Sequence, residues 1–206
     1  NTIVELTDDV DLYQLGGFDN LAIYATAGGN YGEIYGTKFN RVKDKESQYY
    51  GKLIVDNNGL PTASPDKEKI GDQQAKALIG VTNSFQYKGF NFSFLIDSRI
   101  GGDIFSASNL YLQYAGTAAE TVVNGKRDDF IVDAVRLEDG KYVPNDKSIS
   151  PQLYWNRVTT TDNLGVSELN LYSATNIRVR NVQLNYDVSR KALSNTPFTK
   201  LKLGVS

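Results

Sequence analysis

The feature that most constrains this chain is a pair of alternating segments joined by only two residues. Apolar and polar residues alternate over 79–87, and the alternation resumes over 90–100 after Lys88 and Gly89. A period of two residues indicates a strand with one apolar face. A two-residue link with Gly in second place is typical of a tight hairpin turn. The sequence therefore predicts a long antiparallel hairpin.

Two further alternating segments lie near the end of the printed sequence. In the first of them, the apolar parity changes at Arg180-Asn181. One extra residue at that point is what a β-bulge supplies, because it shifts the alternation by one position. The strands are predicted near 79–87, 90–100, 177–188 and 198–206.

The remaining sequence has little periodicity of either kind. The best helical candidate, 72–79, is short and runs into the alternating pattern. The rest is rich in Gly, Asn, Asp and Pro, and we expect long loops near 16–77 and 103–173. The expected fold class is all-β, with antiparallel strands and long loops.

The unequal connections favour one architecture among β proteins. Short turns on one side and long loops on the other are typical of a transmembrane β-barrel of the outer-membrane kind. The predicted strands also match the ~9–11 residues that a tilted strand needs to cross a bilayer. Aromatic residues flank the short turns, where an interfacial girdle is expected; they are Tyr87, Phe90, Tyr186 and Phe198. A soluble β-sandwich with its apolar face turned inward gives the same alternation, and the pattern alone does not decide between the two.

Composition excludes most catalytic and metal chemistry. The 206 residues include no Cys and no His, so thiolate and imidazole ligands, a cysteine nucleophile and a Ser-His-Asp triad are all absent. The adjacent acidic residues at Asp8-Asp9, Asp128-Asp129 and Glu138-Asp139 are better explained as solvated loop charges than as a glycosidase pair. A net charge of −2 argues against a nucleic-acid surface. We expect no enzyme activity, cofactor, metal or nucleic-acid partner.

Five short segments of the chain occur in a recognisable order. They are GGNYGEIYG at 28–36, IGD at 70–72, GVTNSFQYKGF at 80–90, SFLIDSRIGG at 93–102 and IRVRNVQLNY at 177–186. Together they resemble the SusC/RagA-like TonB-dependent outer-membrane transporters, and the resemblance covers nearly the whole chain. The chain departs from that family at 73–76, where QQAK stands in place of the frequent Asn-Pro pair.

The resemblance implies that residues 1–206 are a C-terminal segment of a longer TonB-dependent β-barrel, with no plug domain present. It implies a multi-pass barrel in the outer membrane of a Gram-negative bacterium, importing oligosaccharides or oligopeptides. The implied partners are a SusD-like surface lipoprotein, outer-membrane lipid and the TonB complex, which would act through the missing N-terminal part of the parent chain. The stretches near 16–77 and 103–173 would be extracellular. The alternative function is that of a soluble secreted β-domain that binds glycans.

Four aromatic residues in the second long loop are the candidate substrate- or partner-binding residues: Tyr111, Tyr114, Tyr154 and Trp155. Aromatic side chains with a polar group are common ligand and interface anchors, and loops on a rigid scaffold often carry function. The alternative is that these side chains pack the loop against itself. No catalytic, cofactor-binding or metal-binding residue is expected.

Overall fold

The computed structural model describes residues 1–7, 9–18, 20–122, 125–160 and 165–206. Asp8, a member of one acidic pair, lies outside the described residues, as do small parts of both predicted loops. The chain divides into two compact units. The first unit comprises Asn1–Gln74 and Asp103–Ser173, and the second comprises Ala75–Gly102 and Ala174–Ser206.

Strands dominate the described residues. The strands are β1 (Leu12–Phe18), β2 (Leu21–Thr26), β3 (Glu33–Gly36), β4 (Leu53–Val55), β5 (Glu68–Asp72), β6 (Ala77–Tyr87), β7 (Phe90–Ile100), β8 (Asp103–Phe105), β9 (Phe130–Ile131), β10 (Ala134–Glu138), β11 (Lys141–Pro144), β12 (Ser148–Ile149), β13 (Leu171–Ser173), β14 (Asn176–Asp187) and β15 (Lys202–Val205). The α-helices are α1 (Ala107–Tyr114), α2 (Pro151–Thr160) and α3 (Arg190–Leu193), and 3-10 turns occupy Ala119–Thr121 and Ser167–Asn170. The chain is thus mostly β with antiparallel sheets, which confirms part of the all-β prediction.

The second unit is one antiparallel sheet in the order β15-β14-β7-β6. Strands β6 and β7 form the hairpin, and Lys88 and Gly89 between them both have positive φ, as a tight hairpin turn requires. The last strand, Lys202–Val205, is shorter than the 198–206 indicated by the pattern, because bends after α3 continue to residue 199. The described sheet is open, with β6 and β15 at its edges, and a closed barrel stays a prediction.

A β-bulge in β14 keeps its apolar side chains on one face. The register between β14 and β7 shifts between Arg180 and Gln183, and Asn181 has a φ of +52°. Pairs on the two sides of the shift are Val179 with Ile96 and Leu184 with Phe92. Because residues 92 and 96 lie on the same face of β7, their partners on β14 also share a face. The bulge predicted at Arg180-Asn181 is confirmed.

The sheet of the second unit has one apolar face and one polar face. Apolar side chains are exposed on the first face; Phe85 is 58% exposed and Val179 is 65% exposed. On the polar face, Asp97 forms ion pairs with Arg178 at 3.0 Å and Arg180 at 3.2 Å. A β-sandwich would cover the apolar face with a second sheet. This exposure therefore differs from what the sandwich alternative predicts.

The stretches near 16–77 and 103–173, expected as long extracellular loops, carry secondary structure of their own, and all but residues 75–77 belong to the first unit. Strands β1, β2, β3 and β5 form an antiparallel sheet, while β4 pairs in parallel with β10, and β10 pairs with β11. Two smaller ladders join β8 to β13 and β9 to β12. These strands have two to seven residues, which is too short for alternation to stand out in the sequence. Their extracellular position stays a prediction.

The helices of the first unit were not predicted from the sequence. Two helices of the first unit begin at serine caps: the Ser106 side chain accepts the Asn109 N–H at 3.2 Å, and that of Ser150 accepts the Leu153 N–H at 3.3 Å. Their apolar periodicity is weak because few of their residues face the core. The candidate helix at 72–79 contributes to strands instead. No helix in the described ranges is long and apolar enough to cross a membrane.

Candidate functional site

The four candidate aromatic residues lie on two helices of the first unit that pack against each other. Tyr111 and Tyr114 belong to α1, and Tyr154 and Trp155 belong to α2. The two helices do not give all four residues the same environment. Tyr114 and Trp155 line one cleft of about 420 Å³, whereas the other two lie elsewhere.

Tyr154 is a core residue. It packs against two clusters of buried side chains in the first unit: one contains Val55, Val132, Ala134 and Ile149, and the other contains Phe39, Val158 and Val166. Its ring also meets Phe130 edge-on, with centroids 5.4 Å apart. Burial raises the pKa of the Tyr154 hydroxyl. This environment fits the packing alternative for Tyr154.

Tyr111 is a surface residue. Its side chain is 63% exposed, and it is not among the described residues that line the cleft. Tyr114, one helical turn further along α1, is 52% exposed and does line it. Of the two exposed tyrosines of α1, only Tyr114 therefore lies at the cleft.

One face of α2 supplies the polar part of the cleft. Gln152, Trp155 and Asn156 have the spacing i, i+3 and i+4, which places them on the same side of a helix. Within the described part of the chain, the side chains of these three residues form no hydrogen bond. Two side-chain amides and an indole N–H are thus left to interact with solvent or a ligand. Trp155 also packs against the cluster around Val158, which holds its ring in place.

Arg127 brings a positive charge to the same cleft. Its Nη2 donates to the Gly116 carbonyl oxygen at 2.5 Å, and that bond orients the guanidinium at the cleft wall. Gly116 follows α1 with a φ of +69°, a conformation that glycine adopts readily. Among the described residues that line the cleft, Arg127 carries the only formal charge.

The wall beneath the cleft is fixed by a buried amide network. Gln113 is 3% exposed; its Nε2 donates to Glu120 Oε1 at 2.9 Å, and its Oε1 accepts from Asn170 Nδ2 at 2.8 Å. The hydrogen bond from Gln113 is the main cause that lowers the pKa of Glu120, followed by the bond to its own backbone N–H, so this carboxylate remains ionised near neutral pH. Asn109 donates to the same Oε1 at 3.2 Å. Gln113 therefore has a structural role in the cleft.

Sequence reasoning missed Arg127, Gln152 and Asn156. The spacing of Gln152, Trp155 and Asn156 after a serine-proline helix start is a signal that could have indicated the α2 face. Arg127 stands in an irregular segment, and no periodic pattern relates it to either helix. Only the folded chain brings it to the cleft.

A second groove of the first unit, of about 530 Å³, is lined by five charged residues, and four of these form ion pairs with one another. Lys38 pairs with Glu68 at 3.3 Å, and Arg41 pairs with Glu168 at 2.6 Å. Among the described residues, no group of three or more acidic side chains is placed to hold a metal ion. The cleft lined by α1 and α2 is therefore the better candidate for ligand binding.

The chain is thus a mostly antiparallel β protein. It has a sheet with one apolar and one polar face, and a cleft lined in part by aromatic residues. No protein-family profile matches the chain. Over 182 residues it is 29% identical to the TonB-dependent receptor P39 of Formosa agariphila. The matched region covers 85% of this chain and 16% of that receptor. The chain is thus distantly homologous to a TonB-dependent receptor and spans a small part of its length. That homology relates it to a transporter family rather than to an enzyme.

Proposed function

We propose that this chain is part of an outer-membrane, TonB-dependent transporter of the SusC/RagA-like type in a Gram-negative bacterium. The observation that carries the proposal is the exposed apolar face of the second unit. It extends over β6 and β7, of eleven residues each, and β14, of twelve residues. Strands of this length with one apolar and one polar face suit a barrel wall between lipid and water. The similarity to a TonB-dependent receptor supports the same assignment.

In this proposal the two faces of the sheet have different surroundings. The apolar face contacts outer-membrane lipid, and the polar face lines the aqueous lumen. The ion pairs of Asp97 with Arg178 and Arg180 lie on the lumen side, where water keeps the cost of charge low. Residues 1–206 form a C-terminal barrel segment, and the first unit is extracellular.

The transported substrate is an oligosaccharide or an oligopeptide, and the TonB complex supplies the energy through another part of the parent chain. A SusD-like surface lipoprotein captures the substrate. The exposed aromatic residues Tyr111 and Tyr114, together with Trp155, support a role of the first unit in contacting substrate or lipoprotein.

A pair of neighbouring substitutions in β7 tests the membrane assignment. Phe94, near the middle of β7, lies on the apolar face and Ser93 on the polar face. Arg on the lipid face of a barrel costs about 2–4 kcal/mol near the bilayer midplane, whereas lumen positions tolerate charge. Phe94→Arg should therefore reduce the heat-modifiable, folded form of the natural protein in outer-membrane fractions, and Ser93→Arg should leave it unchanged. Equal tolerance of the two variants contradicts the proposal, as does a folded protein that purifies from aqueous buffer without detergent.

A transport experiment tests the aromatic residues. Tyr111→Ala and Tyr114→Ala combined should reduce substrate uptake or association with the lipoprotein, because their exposed rings are available for contact. Deletion of TonB in the same strain should abolish uptake. Tyr13→Ala, at another exposed tyrosine of the first unit, is the control. Unchanged uptake and unchanged lipoprotein association in the double variant would show that these tyrosines have no binding role.

A further inference from the structure

We infer that the cleft lined by α1 and α2 binds a saccharide that carries an acidic group, and that Arg127 pairs with this group. The inference names the class of ligand that the first unit binds. It rests on the proposed function in one respect, since that function makes the ligand an imported nutrient. The binding site itself lies wholly within the first unit.

The charge of the cleft favours an anionic group. Arg127 forms no ion pair within the described part of the chain, and no carboxylate is among the described residues that line the cleft. Asp128 and Asp129 follow Arg127 in sequence but do not line the cleft, and Glu120 has its Oε1 engaged by two amide groups. A guanidinium has five N–H donors, and one bond to the Gly116 oxygen leaves others for a ligand. Arginine binds carboxylates and other planar or tetrahedral anions with paired hydrogen bonds.

The rest of the lining favours a sugar ring. Trp155 and Tyr114 offer aromatic surface, on which the C–H face of a sugar ring can pack. Gln152 and Asn156 offer amides that both donate and accept, and their side chains form no hydrogen bond within the described residues. Hydroxyl groups around a sugar ring also both donate and accept, so the two sets of groups match.

The same lining is less suited to a peptide side chain. A pocket that selects an apolar side chain is lined mainly by aliphatic and aromatic residues. Here the aliphatic lining is limited to Ala115 and Pro151, and amide, hydroxyl and guanidinium groups make up much of the remainder. An acidic saccharide therefore uses more of the available groups than an apolar peptide does.

Binding measurements on the natural protein, purified in detergent, test the inference. The probes are trigalacturonic acid, its methyl ester, the neutral trisaccharide maltotriose and trialanine, each measured by isothermal titration calorimetry. The ester keeps the rings and hydroxyls but removes the negative charges. We expect trigalacturonic acid to bind at least about 10-fold more tightly than its ester, because hydrogen bonds to a charged group are the stronger ones.

Two substitutions separate the roles of charge and ring. Arg127→Gln should weaken the binding of the acid about 10-fold and leave that of the ester unchanged, whereas Lys126→Gln, which removes a neighbouring charge outside the cleft, should change neither. Tyr114→Ala should weaken the acid and the ester by the same factor, because the aromatic surface does not sense charge.

The inference is overturned if trigalacturonic acid does not bind, if acid and ester bind equally, or if trialanine binds more tightly than the acid. It is also overturned if Arg127→Gln and Lys126→Gln have equal effects. These outcomes are independent of the membrane test above. A protein that folds in the outer membrane but ignores the acid contradicts the inference alone, and one that binds the acid but folds in aqueous buffer contradicts the proposed function alone.

Discussion

Glu33 offers the sharpest test of what stabilises the first unit. It lies on β3 and is 5% exposed. Its carboxylate accepts hydrogen bonds from the Thr26 hydroxyl at 2.7 Å and the Asn30 N–H at 3.3 Å, and it pairs with the Lys69 ammonium. Burial acts to raise the pKa of Glu33, but the bonds from Lys69, Thr26 and Asn30 together hold it below its usual value of 4.5. The side chain is therefore ionised at neutral pH.

The expected cost of Glu33→Gln follows from these contacts. The substitution keeps the size of the side chain but removes its charge, so the bonds to Lys69 and Thr26 lose their ionic character. Lys69 is half exposed, and its ammonium can be solvated after the change. A hydrogen bond to a charged group contributes about 1.5–3 kcal/mol, and we expect a loss of about 2 kcal/mol in the free energy of unfolding.

Glu68→Gln is the matched control. Glu68 lies on β5, next to β3 in the same sheet, and pairs with Lys38 at 3.3 Å. Both side chains of that pair are partly exposed to solvent, at 36% and 43%. Surface ion pairs contribute about 0–1 kcal/mol, so the control should be much less destabilising than Glu33→Gln.

The assay is unfolding by denaturant at a series of pH values, followed by tryptophan fluorescence. Trp155 is the single tryptophan of the chain and lies in the first unit, so its emission reports on that unit. A carboxylate with a lowered pKa stabilises the folded state above its unfolded pKa, and this contribution is lost as the pH falls through the folded value. The difference between wild type and Glu33→Gln should therefore narrow below about pH 5. Equal losses in the two variants, or a difference that persists on acidification, would refute the reasoning.

Three further predictions concern core packing and backbone conformation. Tyr154→Ala should lower the free energy of unfolding by about 3–5 kcal/mol in a denaturant titration, whereas Tyr114→Ala should lower it by less than about 0.5 kcal/mol, because only Tyr154 packs into the core. Gly165→Ala should lower the melting temperature clearly, because a Cβ at this φ of +59° would lie 2.1 Å from the Val158 oxygen; an unchanged melting temperature would contradict this. Asn181→Val should reduce the heat-modifiable folded form, since a β-branched residue is strained by about 1–3 kcal/mol at a φ of +52°, while Asn181→Gly should not; equal yields would argue against strain.

The strands of the second unit could be predicted from the sequence, because the pattern that indicates each one lies in consecutive residues. A strand of eleven residues repeats the apolar-polar alternation several times, so the pattern of β6 and β7 stands out against chance. The bulge is visible for the same reason, since a single change of parity interrupts an otherwise regular run in β14. Long elements with one exposed apolar face leave their signature in consecutive residues.

The strands of the first unit could not be predicted in this way, because they are short and some pair with segments that are distant in sequence. The parallel pairing of β4 with β10 joins Val55 to Arg136, and no local pattern links two three- to five-residue segments so far apart. The aromatic candidates show the same limit. Tyr154 and Trp155 are neighbours in sequence, but a helix turns each residue about 100° from the last. Both pack against the cluster that contains Val158, but only Trp155 also lines the cleft.

The two ends of the segment 103–173 lie next to each other, because hydrogen bonds join residues 101–102 to residues 174–175 of the second unit. The Ala174 N–H donates to the Gly102 oxygen at 2.8 Å, and the Gly101 N–H donates to Thr175 Oγ1 at 2.9 Å. Beyond these bonds, the register between β7 and β14 is set by their own ladder. The intervening segment can thus change in length without moving these strands, as long as its contacts with residues 1–74 are kept, and the entropic cost grows only slowly with length.

That segment contains both α1 and α2 and every residue of the cleft. One recombination event across it would transfer a complete binding site to a related sheet. The incoming segment must pair with β4 as β10 does here, and it must pack against Phe39 and Val55. Ligand preference and strand architecture can therefore evolve at different rates within one chain.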